Sequence, residues 1–183
     1  MRKICISILL LVIVSTPVYS QQDTTALFMR FPQVPPVTLL KTDSSLITKQ
    51  GLKKNQPVLL MYFSPDCPHC RHQLEDMLTR IKAFKKIQII LATYRPIEEL
   101  ALFQEKYKLN DYPNIQVGRD TRYFIQPFYK IKNLPYLALY DKKGNLIRTY
   151  EGNVKVDTLV EAFQRGKIQD TENRTKTSLS TQH

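Results

Sequence analysis

Two cysteines separated by two residues, Cys67 and Cys70, are the feature of this sequence best suited to chemistry. The apolar run from Val58 to Phe63 predicts a buried strand, and the apolar stripe after it predicts a helix from Cys67 to Phe84. A helix start presents unpaired N–H groups, which stabilise a thiolate placed there. Cys70 lies about one turn further on and can close a disulfide with Cys67. The spacing therefore predicts thiol–disulfide exchange in which Cys67 meets the substrate sulfur and Cys70 resolves the mixed disulfide.

The residues around the cysteines act on the thiolate in opposite directions. Pro68 fits the first helical turn and stiffens it. His69 can donate toward the Cys67 sulfur and stabilises a thiolate further when it is charged. Asp66 opposes this effect, because a carboxylate beside a thiolate disfavours the negative sulfur. The sequence leaves the sum of the two effects open.

The elements expected to position this pair alternate between strands and helices. Such alternation predicts an α/β fold with a mainly parallel sheet covered on both faces, closed by an antiparallel hairpin. The predicted elements after the first strand and helix are a strand over Ile87 to Ala92, a helix from Pro96, a loop over 110–121 with a short strand at 115–117, a helical segment over 122–130, strands over 136–140 and 146–150 joined by a turn over 141–145, and a helix over 156–165.

The segment from Val58 to Arg71 resembles the active-site strand, turn and helix of the thioredoxin superfamily, and Leu134-Pro135 with the hairpin after it resembles that family's later part. The extra length over 110–130 is similar to the insertion of the exported TlpA/ResA-like redoxins. The resemblance implies a thioredoxin fold: a central mixed, mainly parallel sheet flanked by helices, with a βα insertion before the hairpin. It also implies that Pro135 is cis and faces the dithiol. Leu134 would then offer its backbone to a peptide substrate.

Three departures from the family pattern leave the direction of electron flow open. Asp66 stands where thioredoxin-like proteins usually carry an aromatic residue, and Met61 stands where thioredoxin has a buried acid. Methionine cannot shuttle a proton. The dipeptide Pro68-His69 is that of the oxidant DsbA, although the chain lacks that enzyme's large helical insertion. The dipeptide favours an oxidant, whereas the TlpA-like layout favours a reductant.

The first twenty residues have the features of a secretory signal. Arg2 and Lys3 precede an apolar run over 4–14, Pro17 breaks that run, and cleavage is expected before Gln21. An uncleaved membrane anchor is the alternative, although the run is far shorter than the roughly 20 residues that span a bilayer. Cys5 would leave with the signal. We therefore expect export to the periplasm or cell envelope, with a signal peptide over 1–20, a lead-in over 21–36, a thioredoxin-like domain over 37–166 and a disordered tail over 167–183.

The net charge of +11 admits two interpretations, a nucleic-acid surface or a solvated basic surface near an anionic membrane. The lysines are scattered along the chain, with no dense basic run interleaved with aromatic residues, which argues against nucleic acid. The lysines in question are Lys53, Lys54, Lys82, Lys85, Lys86, Lys142 and Lys143.

These observations together predict an exported thiol–disulfide oxidoreductase that acts on protein substrates, needs no cofactor and exchanges electrons with a membrane donor or acceptor. The alternative is a thioredoxin-fold copper chaperone or a non-catalytic binding module. Cys67, Cys70, His69 and His72 offer four metal donors, but a second paired motif is missing. His72 is better explained as a surface residue of the helix. Arg71 directly after Cys70 excludes covalent haem attachment, which requires histidine there.

Overall fold

The computed structural model describes residues 25–166. The predicted signal peptide, the first residues of the lead-in and the predicted tail lie outside this range. Seven strands form one sheet in the order β2-β1-β5-β4-β3-β6-β7. The strands are β1 (Thr38–Leu40), β2 (Leu46–Thr48), β3 (Val58–Phe63), β4 (Gln88–Thr93), β5 (Ile115–Arg119), β6 (Tyr136–Tyr140) and β7 (Leu146–Glu151).

Helices cover both faces of this sheet, as the alternating pattern predicts. Four of them are α1 (Leu27–Arg30), α2 (Pro68–Thr79), α3 (Ile97–Lys106) and α4 (Ile125–Tyr129), and a fifth, α5, occupies 156–166. Between residues 25 and 166, no helix is both long enough and apolar enough to cross a membrane.

The central strand β3 explains where the cysteines lie. All six of its residues are buried, because β3 pairs in parallel with β4, antiparallel with β6, and has an apolar cluster on each face. β4 pairs in parallel with β5, so β3, β4 and β5 all end at the same edge of the sheet. The loop that carries Cys67 leaves the sheet at this carboxyl edge. This topology confirms the predicted mixed sheet with a terminal hairpin, but the sheet is less parallel than predicted. Among the described strands, only the β3–β4 and β4–β5 pairings are parallel, because β1, β2, β6 and β7 add four antiparallel pairings.

The insertion over 110–130 contains more regular secondary structure than the sequence predicts. The expected short strand at 115–117 is β5, which runs to Arg119. The helical segment includes Pro127 as the third residue of α4, where the missing N–H has no intrahelical acceptor to serve. β5 and α4 therefore form the βα unit that the resemblance implies before the hairpin.

The predicted helix from Cys67 to Phe84 is interrupted. α2 ends at Thr79, because Arg80 has φ −118° and ψ 28° and leaves the helical region. A separate 3-10 turn over Ile81–Phe84 continues the apolar stripe, and Phe84 is fully buried. The stripe was identified correctly, but helical spacing alone does not reveal a break between two segments that bury the same face.

The segment before β1 packs against the sheet. Phe28 of α1 packs against Tyr129 of α4, with the ring centroids 5.5 Å apart and the ring planes tilted by 39°. Val34 is buried, and its N–H donates to the carbonyl of Gly144 in the β6–β7 turn at 2.9 Å. Residues 25–36, which precede the predicted domain boundary, are thus part of the same packed body.

Candidate active site

Cys67 occupies the N-cap position of α2. Its backbone is extended (φ −75°, ψ 115°), and its Sγ accepts a hydrogen bond from the backbone N–H of Cys70 at 3.3 Å. Its own N–H donates to the Ser64 carbonyl at 3.1 Å, which closes the turn between β3 and α2. The side chain is half-exposed. In this position the free N–H groups at the start of α2 can donate to the sulfur and stabilise its thiolate form.

Cys70 has the opposite environment. Its side chain is completely buried within the apolar cluster that also contains Met61 and Leu74. Burial, together with the hydrogen bond that the thiol makes to Cys67, raises the pKa of Cys70 from 9.0 to about 12, and a hydrogen bond from the Ser64 backbone offsets part of this. The two thiols are therefore chemically unequal: one is half-exposed at a helix start, and the other is buried and protonated.

The carboxylate beside the dithiol is held in its charged form. Asp66 is exposed, and the Ser64 hydroxyl donates to it. That hydrogen bond lowers the pKa of Asp66, with smaller contributions from Arg95 and Arg71. Arg71 also donates from Nη1 to the Pro65 carbonyl at 3.1 Å. The entrance to the dithiol thus carries one fixed negative charge with two arginines near it.

The Leu134–Pro135 peptide bond is cis. Pro135 directly precedes β6, whose first residue, Tyr136, pairs with Tyr62 near the carboxyl end of β3. Leu134 and Cys67 both pack against the cluster that contains Cys70. The segment that the resemblance assigns to substrate binding therefore lies at the edge of the sheet that carries the dithiol.

The segment over 151–154, which we call the strap, connects this proline segment to α2. On one side, the Gly152 N–H donates to the Pro135 carbonyl at 2.8 Å. On the other side, the Asn153 amide donates to the His69 carbonyl at 2.8 Å. Gln73 binds the Val154 backbone twice, donating to its carbonyl at 3.1 Å and accepting from its N–H at 2.6 Å. The strap thus couples the two halves of the site.

Sequence reasoning missed Gln73, although a signal was present. Positions 70, 73, 74 and 77 form the buried face of α2, and glutamine is the one strongly polar residue among them. A completely buried glutamine needs partners for both ends of its amide. The partners lie 81 residues away in the chain, so nothing in the sequence identifies them.

The side chains of the two histidines near the cysteines are exposed. His69 is exposed and contributes its backbone carbonyl to the strap. The exposed His72 lies 3.4 Å from Asp76 one turn along α2, an arrangement typical of a surface residue. Within residues 25–166, no three histidine, cysteine or acidic side chains are grouped so that they could hold a metal ion. Pro68 is the first residue of α2, as predicted.

Comparison with protein families gives one match. A family model described as a thioredoxin-like domain matches residues 46–167, which include β3, the dithiol, the proline segment and the strap. No curated protein matches the chain.

Solved structures share the fold at low sequence identity. A secreted Mycobacterium tuberculosis disulfide oxidoreductase homologous to E. coli DsbE is 17% identical, with a TM-score of 0.59 over 71% of this chain and 96% of the other. StoA from Bacillus subtilis is 18% identical, with a TM-score of 0.55 over 70% and 98%. The exposed lipoprotein thioredoxin Etrx1 from Streptococcus pneumoniae is 22% identical, with a TM-score of 0.56 over 70% and 97%. These similarities confirm the predicted thioredoxin fold.

Proposed function

The chain belongs to the thioredoxin-like domain family, and from that premise we propose that it is a thiol–disulfide oxidoreductase whose catalytic residues are Cys67 and Cys70. The observation that carries the proposal is the inequality of the two thiols. Cys67 is half-exposed at the N-cap of α2, whereas Cys70 is buried directly behind it. Exchange chemistry requires one accessible sulfur that meets the substrate and a second that resolves the mixed disulfide.

The proposed reaction moves two electrons from the dithiol to a substrate disulfide. The Cys67 thiolate attacks one substrate sulfur, which forms a Cys67–substrate disulfide and releases the first substrate thiolate. Cys70 then loses its proton and attacks the Cys67 sulfur, which forms the Cys67–Cys70 disulfide and releases the second substrate thiolate. The reverse sequence oxidises a substrate dithiol.

Leu134 and Pro135 are proposed to hold the protein substrate beside Cys67. An extended substrate segment can pair with exposed backbone in the manner of an added strand. Leu134 is half-buried at the carboxyl edge of the sheet, so part of this residue is accessible to a substrate. Asp66, Pro68 and His69 border the same entrance and are proposed to tune the reactivity of Cys67.

A trapping experiment tests the proposal. Replacing Cys70 with serine removes the resolving thiol, so Cys67 is expected to accumulate as a mixed disulfide with protein partners in cells. Non-reducing gels with mass spectrometry would identify the adducts. Cys67→Ser is the matched control, because it keeps one cysteine of the pair yet removes the accessible one. Absence of adducts in Cys70→Ser, or equal adducts in both variants, would reject the assigned roles.

We propose that the direction of electron flow is that of a reductant. The β5–α4 insertion supports this choice through the resemblance to TlpA/ResA-like redoxins, whereas the Pro68-His69 dipeptide points the other way. The midpoint potential of the Cys67–Cys70 couple, measured by equilibration with glutathione, decides between them. We expect a value near the roughly −270 mV of thioredoxin, and a value near the roughly −120 mV of DsbA would reverse the assignment.

The sequence features of residues 1–20 support our proposal that the enzyme is exported to the periplasm or cell envelope. The proposed catalytic domain spans 37–166, and residues 25–36 pack against it. In an oxidising compartment a dithiol that donates electrons must itself be reduced again. A membrane-bound electron donor is therefore the proposed redox partner.

A further inference from the structure

The lysines that are scattered along the sequence converge in the fold on one end of the molecule. Three chain segments meet where β3 and β4 begin, at the end of the sheet opposite to the dithiol. Two contacts bring the segments together. The side-chain amide of Gln88, the first residue of β4, accepts from the Lys53 N–H at 2.7 Å and donates to the Lys53 carbonyl at 2.9 Å. Tyr140, the last residue of β6, pairs with Val58, the first residue of β3. We call this end the lysine pole, which comprises Lys53, Lys54, Lys82, Lys85, Lys86, Lys142 and Lys143.

The lysine pole is strongly one-sided in charge. Its three segments, 53–57, 82–87 and 141–143, hold seven lysines against one acidic residue, Asp141. The net charge of the whole chain is +11, so this small part of the surface contains a large share of the excess. A like-charged cluster repels itself, and a nearby anionic surface relieves that repulsion.

The pole also contains an open groove with a partly apolar lining. The groove has a volume of about 690 Å³ and lies between the segments that carry the lysines. Its lining includes the apolar residues Ile87, Ile147 and Phe163 together with Lys82, Lys85 and Lys86. An apolar surface bordered by lysines, whose alkyl stems can lie along it while the ammonium groups reach outward, is suited to the boundary between lipid headgroups and acyl chains.

We propose that the lysine pole docks on an anionic lipid surface. Clusters of roughly four to eight basic residues next to a membrane are typical of attachment to acidic headgroups. Every basic residue of the pole is lysine, a mobile point charge suited to a diffuse anionic surface, whereas arginine is preferred for paired contacts to individual nucleic-acid phosphates. The one aromatic residue in its three segments, Phe84, is completely buried, and Phe163, which lines the groove, is only 4% exposed, so little ring surface is offered to a base.

Docking in this orientation directs the dithiol away from the lipid. Because β3 runs from the pole to the turn before Cys67, the dithiol would lie about 20 Å, the length of a six-residue strand, above the pole. A protein substrate could then reach Cys67 and Pro135 while the enzyme remained attached. This inference does not depend on the exchange chemistry proposed above.

Binding of the purified protein to vesicles tests the inference. The probes are phosphatidylcholine vesicles with and without phosphatidylglycerol, measured by co-sedimentation at low and raised salt. We expect binding that requires phosphatidylglycerol, weakens with salt, and falls at least about tenfold in the triple variant Lys82→Glu/Lys85→Glu/Lys86→Glu. These side chains are exposed, and disulfide reductase activity in solution should remain unchanged because they lie opposite to the dithiol.

A matched variant separates position from total charge. Arg122→Glu/Lys132→Glu/Lys155→Glu changes the net charge equally, and these exposed residues belong to segments at the carboxyl edge. It should retain most of the vesicle binding. Equal loss in both triple variants, binding independent of phosphatidylglycerol, or tighter binding to duplex DNA than to the anionic vesicles would each overturn the inference.

Discussion

Replacing Gln73 with alanine is expected to lower the free energy of unfolding by about 2–4 kcal/mol. The substitution removes both hydrogen bonds to Val154 and leaves the N–H and carbonyl of that residue without their partners at a half-buried position. It also leaves a small cavity next to Cys70, because the amide is completely enclosed. Urea or thermal unfolding of the reduced protein measures the change.

Gln126→Ala provides the control for that measurement. Gln126 is also a helical glutamine, but it is exposed, so its replacement should change the free energy of unfolding by no more than about 0.5 kcal/mol. Similar losses in the two variants would show that Gln73 contributes no more than a surface side chain.

Gln73→Ala should also affect exchange with a protein disulfide more than exchange with a small disulfide. The strap links the His69 carbonyl and Gln73 on α2 to the Pro135 carbonyl. Losing the two hydrogen bonds of Gln73 loosens this link and should disturb the placement of a protein substrate against Cys67. Exchange with a protein disulfide is expected to slow by about tenfold, whereas a small aromatic disulfide, which needs no docking, should react at nearly the original rate. Equal slowing with both substrates would indicate general loss of structure.

The sequence revealed the parts of this molecule that depend on local pattern. The continuous apolar run of β3, the stripe on α2 and the turn between β6 and β7 are each encoded within a few residues, so their positions could be predicted. The family resemblance added Pro135 and the inserted unit. Cys67 could be placed at a helix start because the strand ends four residues before it and Pro68 follows it.

What the sequence could not reveal depends on contacts between distant segments. The hydrogen bonds between the strap and α2 join residues that are separated by 81 and 84 positions in the chain. The lysine pole likewise joins three segments that are separate in the chain. In the sequence these lysines are scattered, because the positions of residues along the chain do not show which of them lie close together in the fold. The break at Arg80 was missed for a related reason: a 3-10 turn can continue the buried face of a helix.

In the part of the chain that the structure describes, no buried carboxylate lies beside the Cys70 thiol, and the nearby Asp66 is exposed. Met61 lies on the cluster side of β3 with Cys70, as its position in the strand predicts. Asp120 is the buried carboxylate among the described residues, and its Oδ2 accepts from the Ile125 N–H at the start of α4, on the opposite face of the sheet. No buried carboxylate between residues 25 and 166 is therefore placed to receive the Cys70 proton, which must leave to solvent, to the exposed Asp66 or to a substrate sulfur. The cost of ionising this thiol in the folded protein should be measurable.

The reduced protein is expected to lose stability as the pH rises above 9, at up to about 1.4 kcal/mol per pH unit from this one group. The pKa of Cys70 is about 12 in the folded protein against 9.0 ordinarily, so above pH 9 the unfolded chain releases a proton that the folded chain retains. The contribution is fully present below pH 9 and is lost progressively until the pH reaches about 12. Denaturant unfolding under reducing conditions at a series of pH values measures it.

Cys70→Ala isolates the contribution of the thiol from that of the tyrosines. Burial also raises the pKa of Tyr129, Tyr136 and Tyr140, and their ionisation destabilises the parent and the variant equally at high pH. The stability difference between the parent and Cys70→Ala should therefore stay constant up to pH 9 and shift against the parent above it. Parallel curves through pH 11 would mean that Cys70 ionises as readily in the folded protein as in the unfolded chain. The second step of the proposed exchange would then require no special deprotonation.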